Sequence, residues 1–326
     1  MLKSRNLLIV ASLLIALSAG AFFLYRQSHQ APEPARLLPE SDLLFYANLK
    51  PVHLLNLKKV SPAEMAGEYK DFVDQTGIEF ERDLDEVAMA RRDTPDGRDV
   101  ESSEIVVAKF DQARLRNYLQ KLSSANEQYR NHTVYSISHE GHLVRVTLLE
   151  AGKVAITNMA SPEPMHGIID RAFRPSDGPA LLNSHYRDVP LGSLAWLIDR
   201  IPNKPDAVQL PGGLSFSVPA DSVAVASLRY AGSLLFRTDV FAQSQAQAKE
   251  IVDSANSHLA LVRSIGAWMG KKGPDQDVKA AFESIRIEQK ENVAVFTATI
   301  PEKILRKIWS DVQSEGPIPG AQPTQH

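Results

Sequence analysis

The chain of 326 residues is long enough to bury a sizeable core in two domains, or in one domain built from duplicated halves. Its formal net charge is -3, and because Lys3, Arg5 and Arg26 lie in an opening stretch without acidic residues, the remainder carries 33 basic against 39 acidic side chains. A mildly acidic body argues against nucleic acid, which demands a basic stripe, and the absence of cysteine removes disulfides, thiolate nucleophiles, iron-sulfur clusters and cysteine-based zinc sites.

After "MLKSRN", residues Leu7 to Tyr25 form nineteen residues free of charge, Asn, Gln and Pro. At 1.5 Å per residue they span roughly 28 Å as a helix, enough to cross a bilayer. Lys3, Arg5 and the terminal amine outweigh Arg26, so the positive-inside rule keeps the N-terminus cytoplasmic and exports the body. Ala19-Gly20-Ala21 has the small-x-small form of a signal-peptide cleavage site, but the apolar run continues through Phe22 to Tyr25. We therefore expect a signal anchor in a bacterial inner membrane with a periplasmic body; cleavage would export the body equally.

Residues 26–36, with two prolines, read as a stalk. "LLPESDLLFYANLK" is a turn followed by a strand, and Pro51 to Thr76 reads as helix stopped by Gly77. A strand from about Asp85 to Arg92, a second in "EIVVAKF" and a helix capped by Asp111 follow. In "YSISHEGHLVRVTLL" a two-residue loop at Glu140-Gly141 pairs positions whose numbers sum to 281, placing His139 opposite His142, Ile137 opposite Val144 and Tyr135 opposite Val146. Tyr135, Ile137, Val144, Val146 and Leu148 then share one buried face. Lys153 to Thr157 is a strand, and Ser161 to Phe173 a helix with Pro162 at N1. Leu194, Leu197 and Ile198 around Trp196 have helical spacing. Prolines 202, 205, 211 and 219 with Gly212-Gly213 mark a connector.

Beyond it the outline of the first half is written again. "PADSVAVASLRY" parallels "PESDLLFYANLK", "FESIRIEQ" parallels "LDEVAMAR", and Leu305-Arg306 falls on Leu115-Arg116 after a strand. An added strand from Ser233 to Ala242 departs from this scheme. The expected fold is α+β: two similar halves, each an antiparallel sheet packed by helices, preceded by one transmembrane helix. The expected division is a tip at 1–6, the anchor at 7–25, the stalk at 26–36, a first half at 37–200, a connector at 201–219, a second half at 220–310 and a disordered tail at 311–326.

Chemistry-bearing patterns are sparse. His139 and His142 are the candidate metal ligands, since opposed cross-strand side chains sit about 5 Å apart at Cβ. A zinc site needs more ligands, and neither His132, Glu140 nor His166 is selected by spacing; a plain hairpin accounts for the stretch. The acidic residues Glu79, Glu81, Asp83, Asp85 and Glu86 lack the ligand order of a calcium loop. Gly192-Ser193 lacks the second glycine of a nucleophile elbow. No glycine-rich phosphate loop occurs, so no nucleotide cofactor is expected. Asn131 opens a glycan acceptor triplet, "NHT", which counts only in a host that glycosylates this way. Apolar runs around Trp196, Trp268 and Trp309 read as core.

The opening strand "LLPESDLLFYANLK", the glycine-initiated acidic turn "TGIEFERDLDEVAMA", and "GKVAITN" followed by "PEPMHGIIDRAF" and "LLNSHYRDVP" resemble a family of exported bacterial envelope proteins classed as a domain of unknown function in the three-thousand series. The resemblance covers about half of the chain and implies an envelope location, with no catalytic residues to carry over. The expected role is a non-catalytic binding or structural envelope module, with an envelope hydrolase and a lipid or small-molecule binding protein as alternatives. Protease added to intact spheroplasts should therefore digest the body while a cytosolic control survives; a body protected alongside that control would reverse the orientation.

Overall fold

In a computed structural model the described residues are 30–53, 67–94, 100–139, 141–150, 152–174, 177–201, 207–210, 214–217, 219–268 and 276–303. The expected anchor and tail lie outside them. The chain runs α1 (Glu33–Leu37), β1 (Leu43–Asn48), α2 (Lys50–His53), α3 (Gly67–Thr76), α4 (Phe80–Asp83), β2 (Leu84–Asp93), β3 (Val100–Ala108) and α5 (Gln112–Leu122). Next come β4 (Ala125–Tyr129), β5 (His132–His139), β6 (His142–Leu149), β7 (Lys153–Thr157), α6 (Glu163–Phe173) and α7 (Ala180–His185). It closes with β8 (Ala195–Arg200), β9 (Ala207–Leu210), β10 (Leu214–Ser217), β11 (Val223–Tyr230), β12 (Ser233–Phe241), α8 (Gln245–Trp268), α9 (Gln276–Ser284), β13 (Arg286–Lys290) and β14 (Val293–Pro301).

The fold is α+β, and twelve of the strands form one antiparallel sheet in the order β13-β14-β12-β11-β8-β1-β2-β3-β7-β6-β5-β4. This corrects the expectation of a separate sheet in each half. β8 pairs with β1 on one side and with β11 on the other, so the ladder passes through it without a break. The expected repeat would also set β13 beside β11, as β2 lies beside β1. Instead β12 takes that edge, and the β13–β14 hairpin joins beyond it through β14. Residues 207–217 of the connector hold the separate β9–β10 ribbon.

The helices follow local rules. Asp111 caps α5, its Oδ1 accepting the Ala113 and Arg114 N–H groups at 2.8 and 3.1 Å. Gly77, at φ +74°, ends α3. Pro162 is the N-cap of α6 rather than its first helical residue, and the Ser161 hydroxyl accepts the Glu163 N–H. The body starts earlier than expected, because Ala35 of α1, within the expected stalk, is fully buried in the main core.

The segment around Trp196 is strand, not helix. Trp196 and Ile198 are both buried while Leu197 between them points to the opposite face. Only a short run separates Pro190 from Pro202, and two flanking strands supply hydrogen bonds that outweigh a coincidental 3-and-4 spacing.

Strand alternation divides the core. On one face Leu44, Tyr46, Ala88, Ala90, Ile105, Ala155, Trp196 and Ile198 pack beneath α1, α6 and α7. On the other, Tyr135, Val146, Leu148 and Val154 meet Leu115 and Leu119 of α5, with Ile137 and Val144 at the margin. Further along that face Val240 and Ala294 meet Ala248, Ile251 and Val252 of α8. Arg145 is buried on the first face, where Nη1 donates to Met159 O at 2.6 Å and Nη2 to Ala160 O at 3.0 Å, fixing the loop that leads into α6.

Gly152 sets how closely β3 and the turn before β7 can approach. Its φ is +71°, and a Cβ there would lie 2.7 Å from the Ala108 carbonyl oxygen. Gly152→Ala should destabilise the protein by at least about 2 kcal/mol, through left-handed strain plus a backbone clash, read from the urea midpoint at unchanged m-value.

Candidate functional site

The β5–β6 ladder has the expected register, with His139 opposite His142, Ile137 opposite Val144 and Tyr135 opposite Val146. Both histidines are exposed. The other suggested ligands go elsewhere. His132, at the far end of β5, donates through Nδ1 to Leu148 O at 2.9 Å. His166 stacks on Tyr129 with ring centres 3.9 Å apart, and its Nε2 lies 2.9 Å from Glu127 Oε1 as an ion-pair contact without hydrogen-bond alignment. Glu140 lies outside the described residues. Among the described residues no three His, Asp or Glu side chains gather to hold a metal.

The acidic stretch disperses in the same way. Glu79 pairs with Arg82 Nη1 at 2.6 Å, and Glu81 accepts the Tyr69 hydroxyl at 2.8 Å. Burial and the Glu81 contact push that hydroxyl up to about 12. Asp83 accepts Arg82 Nη2 at 2.6 Å and the Glu79 N–H at 2.9 Å. Burial alone would raise the Asp83 carboxyl, but these two donors outweigh it and hold it below the ordinary range. Glu104 on β3 lies opposite Met89 and Ile156, and burial pushes its carboxyl up. The Ser193 hydroxyl donates to Pro190 O at 2.6 Å, a turn-closing bond rather than an activated nucleophile.

A concavity lies where β1 ends and β8 begins. A cleft of about 190 Å³ is lined by Pro32, Tyr46, Asn48, Tyr186, the turn from Val189 to Ser193, and Trp196. Tyr46 and Trp196 are direct cross-strand partners, stacked with centroids 5.6 Å apart and planes at 24°. Tyr186 meets Trp196 edge-on, also at 5.6 Å. Leu191, half-exposed at 50 %, stands on the rim.

Behind this wall the Tyr46 hydroxyl donates to Glu86 Oε2 at 2.9 Å and Lys50 Nζ donates to Oε1 at 2.5 Å. Burial, then the Glu86 hydrogen bond and charge, push the Tyr46 hydroxyl far above its usual range; the Glu86 contact raises Lys50 as well. Both groups therefore keep their protons at neutral pH, and neither is poised as a base. Asn48 Oδ1 accepts the Lys50 N–H at 3.1 Å. What the cleft offers a ligand is chiefly aromatic and aliphatic wall, with Trp196 only 3 % exposed beneath it.

No family model matches the chain and no curated protein matches it. Among solved structures it is similar to TP0453. Crystal form III has a TM-score of 0.45 and 13 % identity over 87 % of this chain and 99 % of that one. Crystal form I gives 0.43 and 14 % over 86 % and 98 %, and crystal form IV gives 0.43 and 13 % over 85 % and 96 %.

Sequence reasoning placed Tyr46 in a strand and Trp196 in a core without bringing them together. The legible signal was "YRDVPLGSLAW", a Pro-x-Gly turn flanked by two aromatics. Tyr46→Phe should cost about 1 kcal/mol, and combining it with Glu86→Gln should cost less than the two single changes summed, as read in a urea double-mutant cycle.

Proposed function

We propose that the chain is a single-pass membrane protein of the bacterial envelope whose exported body is a non-catalytic module binding another envelope component. The observation that carries this reading is the cleft. Tyr46, Asn48 and Ser193 each spend a polar group on an internal hydrogen bond, which leaves chiefly aromatic and aliphatic wall for contact. That composition suits recognition of an apolar or ring-bearing group. A volume of about 190 Å³ is below the roughly 300–1,000 Å³ of a site that encloses a whole small molecule. It fits one projecting part of a larger partner better than a lipid or an engulfed substrate.

The tether supports the location. The uncharged run from Leu7 to Tyr25 with Lys3 and Arg5 before it favours a cytoplasmic N-terminus. Among the described residues no helix is long and apolar enough to cross a membrane, so the span at Leu7–Tyr25 is the anchor in this reading. Pro32 on the cleft rim follows Tyr25 by seven residues, at most about 25 Å of extended chain. The partner is accordingly sought at or near the outer surface of that membrane.

Because the native chain has no cysteine, Leu191→Cys carries a unique thiol for a benzophenone probe. Irradiation of intact envelopes should give discrete adducts from position 191, and none from a Phe236→Cys control on β12. Equal labelling at both positions, or none at 191, would count against a partner-binding cleft.

A further inference from the structure

The β5–β6 hairpin explains why the chain reverses between His139 and His142, but not why an imidazole stands on each side of the reversal. Of the other histidines within the described residues, four are engaged. His53 lies 4.0 Å from Asp85, His185 lies 3.3 Å from Asp188, His132 is bonded to Leu148 O, and His166 is held between Glu127 and Tyr129. His258 is set apart by burial, its Nδ1 being closed off from solvent and without a hydrogen-bond partner among the described residues. His139 and His142 are different: both are exposed, and neither has a hydrogen bond, ion pair or ring contact among the described residues.

They are also fixed relative to one another. The ladder makes them direct partners at the last rung, on the same face as Ile137 and Val144, and Gly141 at φ +82° completes the turn that closes it. Directly opposed residues hold their Cβ atoms about 5 Å apart, and imidazole nitrogens bind zinc or copper at about 2.0–2.1 Å. Both rings can therefore reach one ion by side-chain rotation alone, with the backbone already in place. Ser138, Gly141 and Leu143 around them are exposed as well, so an ion held here keeps its remaining positions open.

We propose that His139 and His142 form a two-histidine surface clamp for a divalent transition-metal ion, with Cu(II) preferred over Zn(II). The ion is completed by water or by a donor atom from another molecule. Two nitrogen ligands from one side suit the tetragonal N,O field of Cu(II), and the affinity order of divalent ions places it first. A closed structural zinc site would need four protein ligands, and among the described residues no group of even three gathers here. The clamp does not depend on the cleft or on the membrane anchor.

The test is titration of the full-length chain in detergent with CuCl2 and with ZnCl2, followed by calorimetry and, for copper, electron paramagnetic resonance. The native chain should bind one Cu(II) at the clamp with two-nitrogen ligation, more tightly than Zn(II). His139→Ala and His142→Ala should each weaken that binding by at least about tenfold, since either removes the chelate, and should leave a single-nitrogen signal. The double substitution should abolish it. Binding should also fail on acidification, because the ligating imidazoles must be neutral. Metal-free melting curves of the variants should match the native one, so that any loss is not a folding loss. Copper binding that survives the double substitution unchanged, or no binding by the native chain, overturns the proposal.

Discussion

The sheet depends on β8 being hydrogen-bonded along both sides. Without it the strands β1 to β7 and β11 to β14 would be two smaller sheets, each with an extra open edge. An open edge offers unpaired N–H and C=O groups to any passing strand. Closing two of them at once is worth more than the hydrogen bonds alone, because the burial of Trp196 and Ile198 beneath α7 follows from the same pairing. The two outer strands that remain, β4 and β13, are short and carry mainly polar or charged side chains, such as Glu127, Arg286, Glu288 and Lys290. That is how an unavoidable edge is kept from recruiting neighbours.

β8 also makes the cleft. The pairing that sets Trp196 opposite Tyr46 stacks their rings, and the turn entering β8 delivers Leu191 and Ser193 to the rim. The pairing with β1 sets Trp196 against Tyr46, and the segment leading into β8 brings Tyr186 edge-on to the same ring. The site is thus a by-product of how the sheet is joined, and its floor is part of the hydrophobic core.

Much of the local structure was legible in the sequence, because local rules decided it. The β5–β6 register followed from a two-residue loop and an alternating face, and the α5 start from Asp111 and its N–H partners. What was not legible depends on partners distant in sequence. Trp196 lies in a strand because β1 and β11 flank it, and nothing within "LGSLAWLIDR" announces those neighbours. The division into two sheets failed for the same reason. Pattern can suggest that "VFTATIP" is a strand, but not that β12 will stand between it and β11. The cleft suffered most, since its walls come from residues 32, 46, 186 and 196, joined only by tertiary packing.

The short helix α1 gives the chain's entry point a mechanical character. Ala35 is fully buried, Leu37 and Leu38 nearly so, and all three belong to the cluster that holds Trp196 and Ile198. Arg171 Nε reaches across from α6 to donate to the Leu37 carbonyl at 2.8 Å. Residues 33–38 therefore act as a stopper seated in the core rather than as slack leading up to it. A pull on the leader is transmitted straight to the centre of the sheet, and a shortened chain that begins after Leu38 would leave an unfilled hole where the stopper sat.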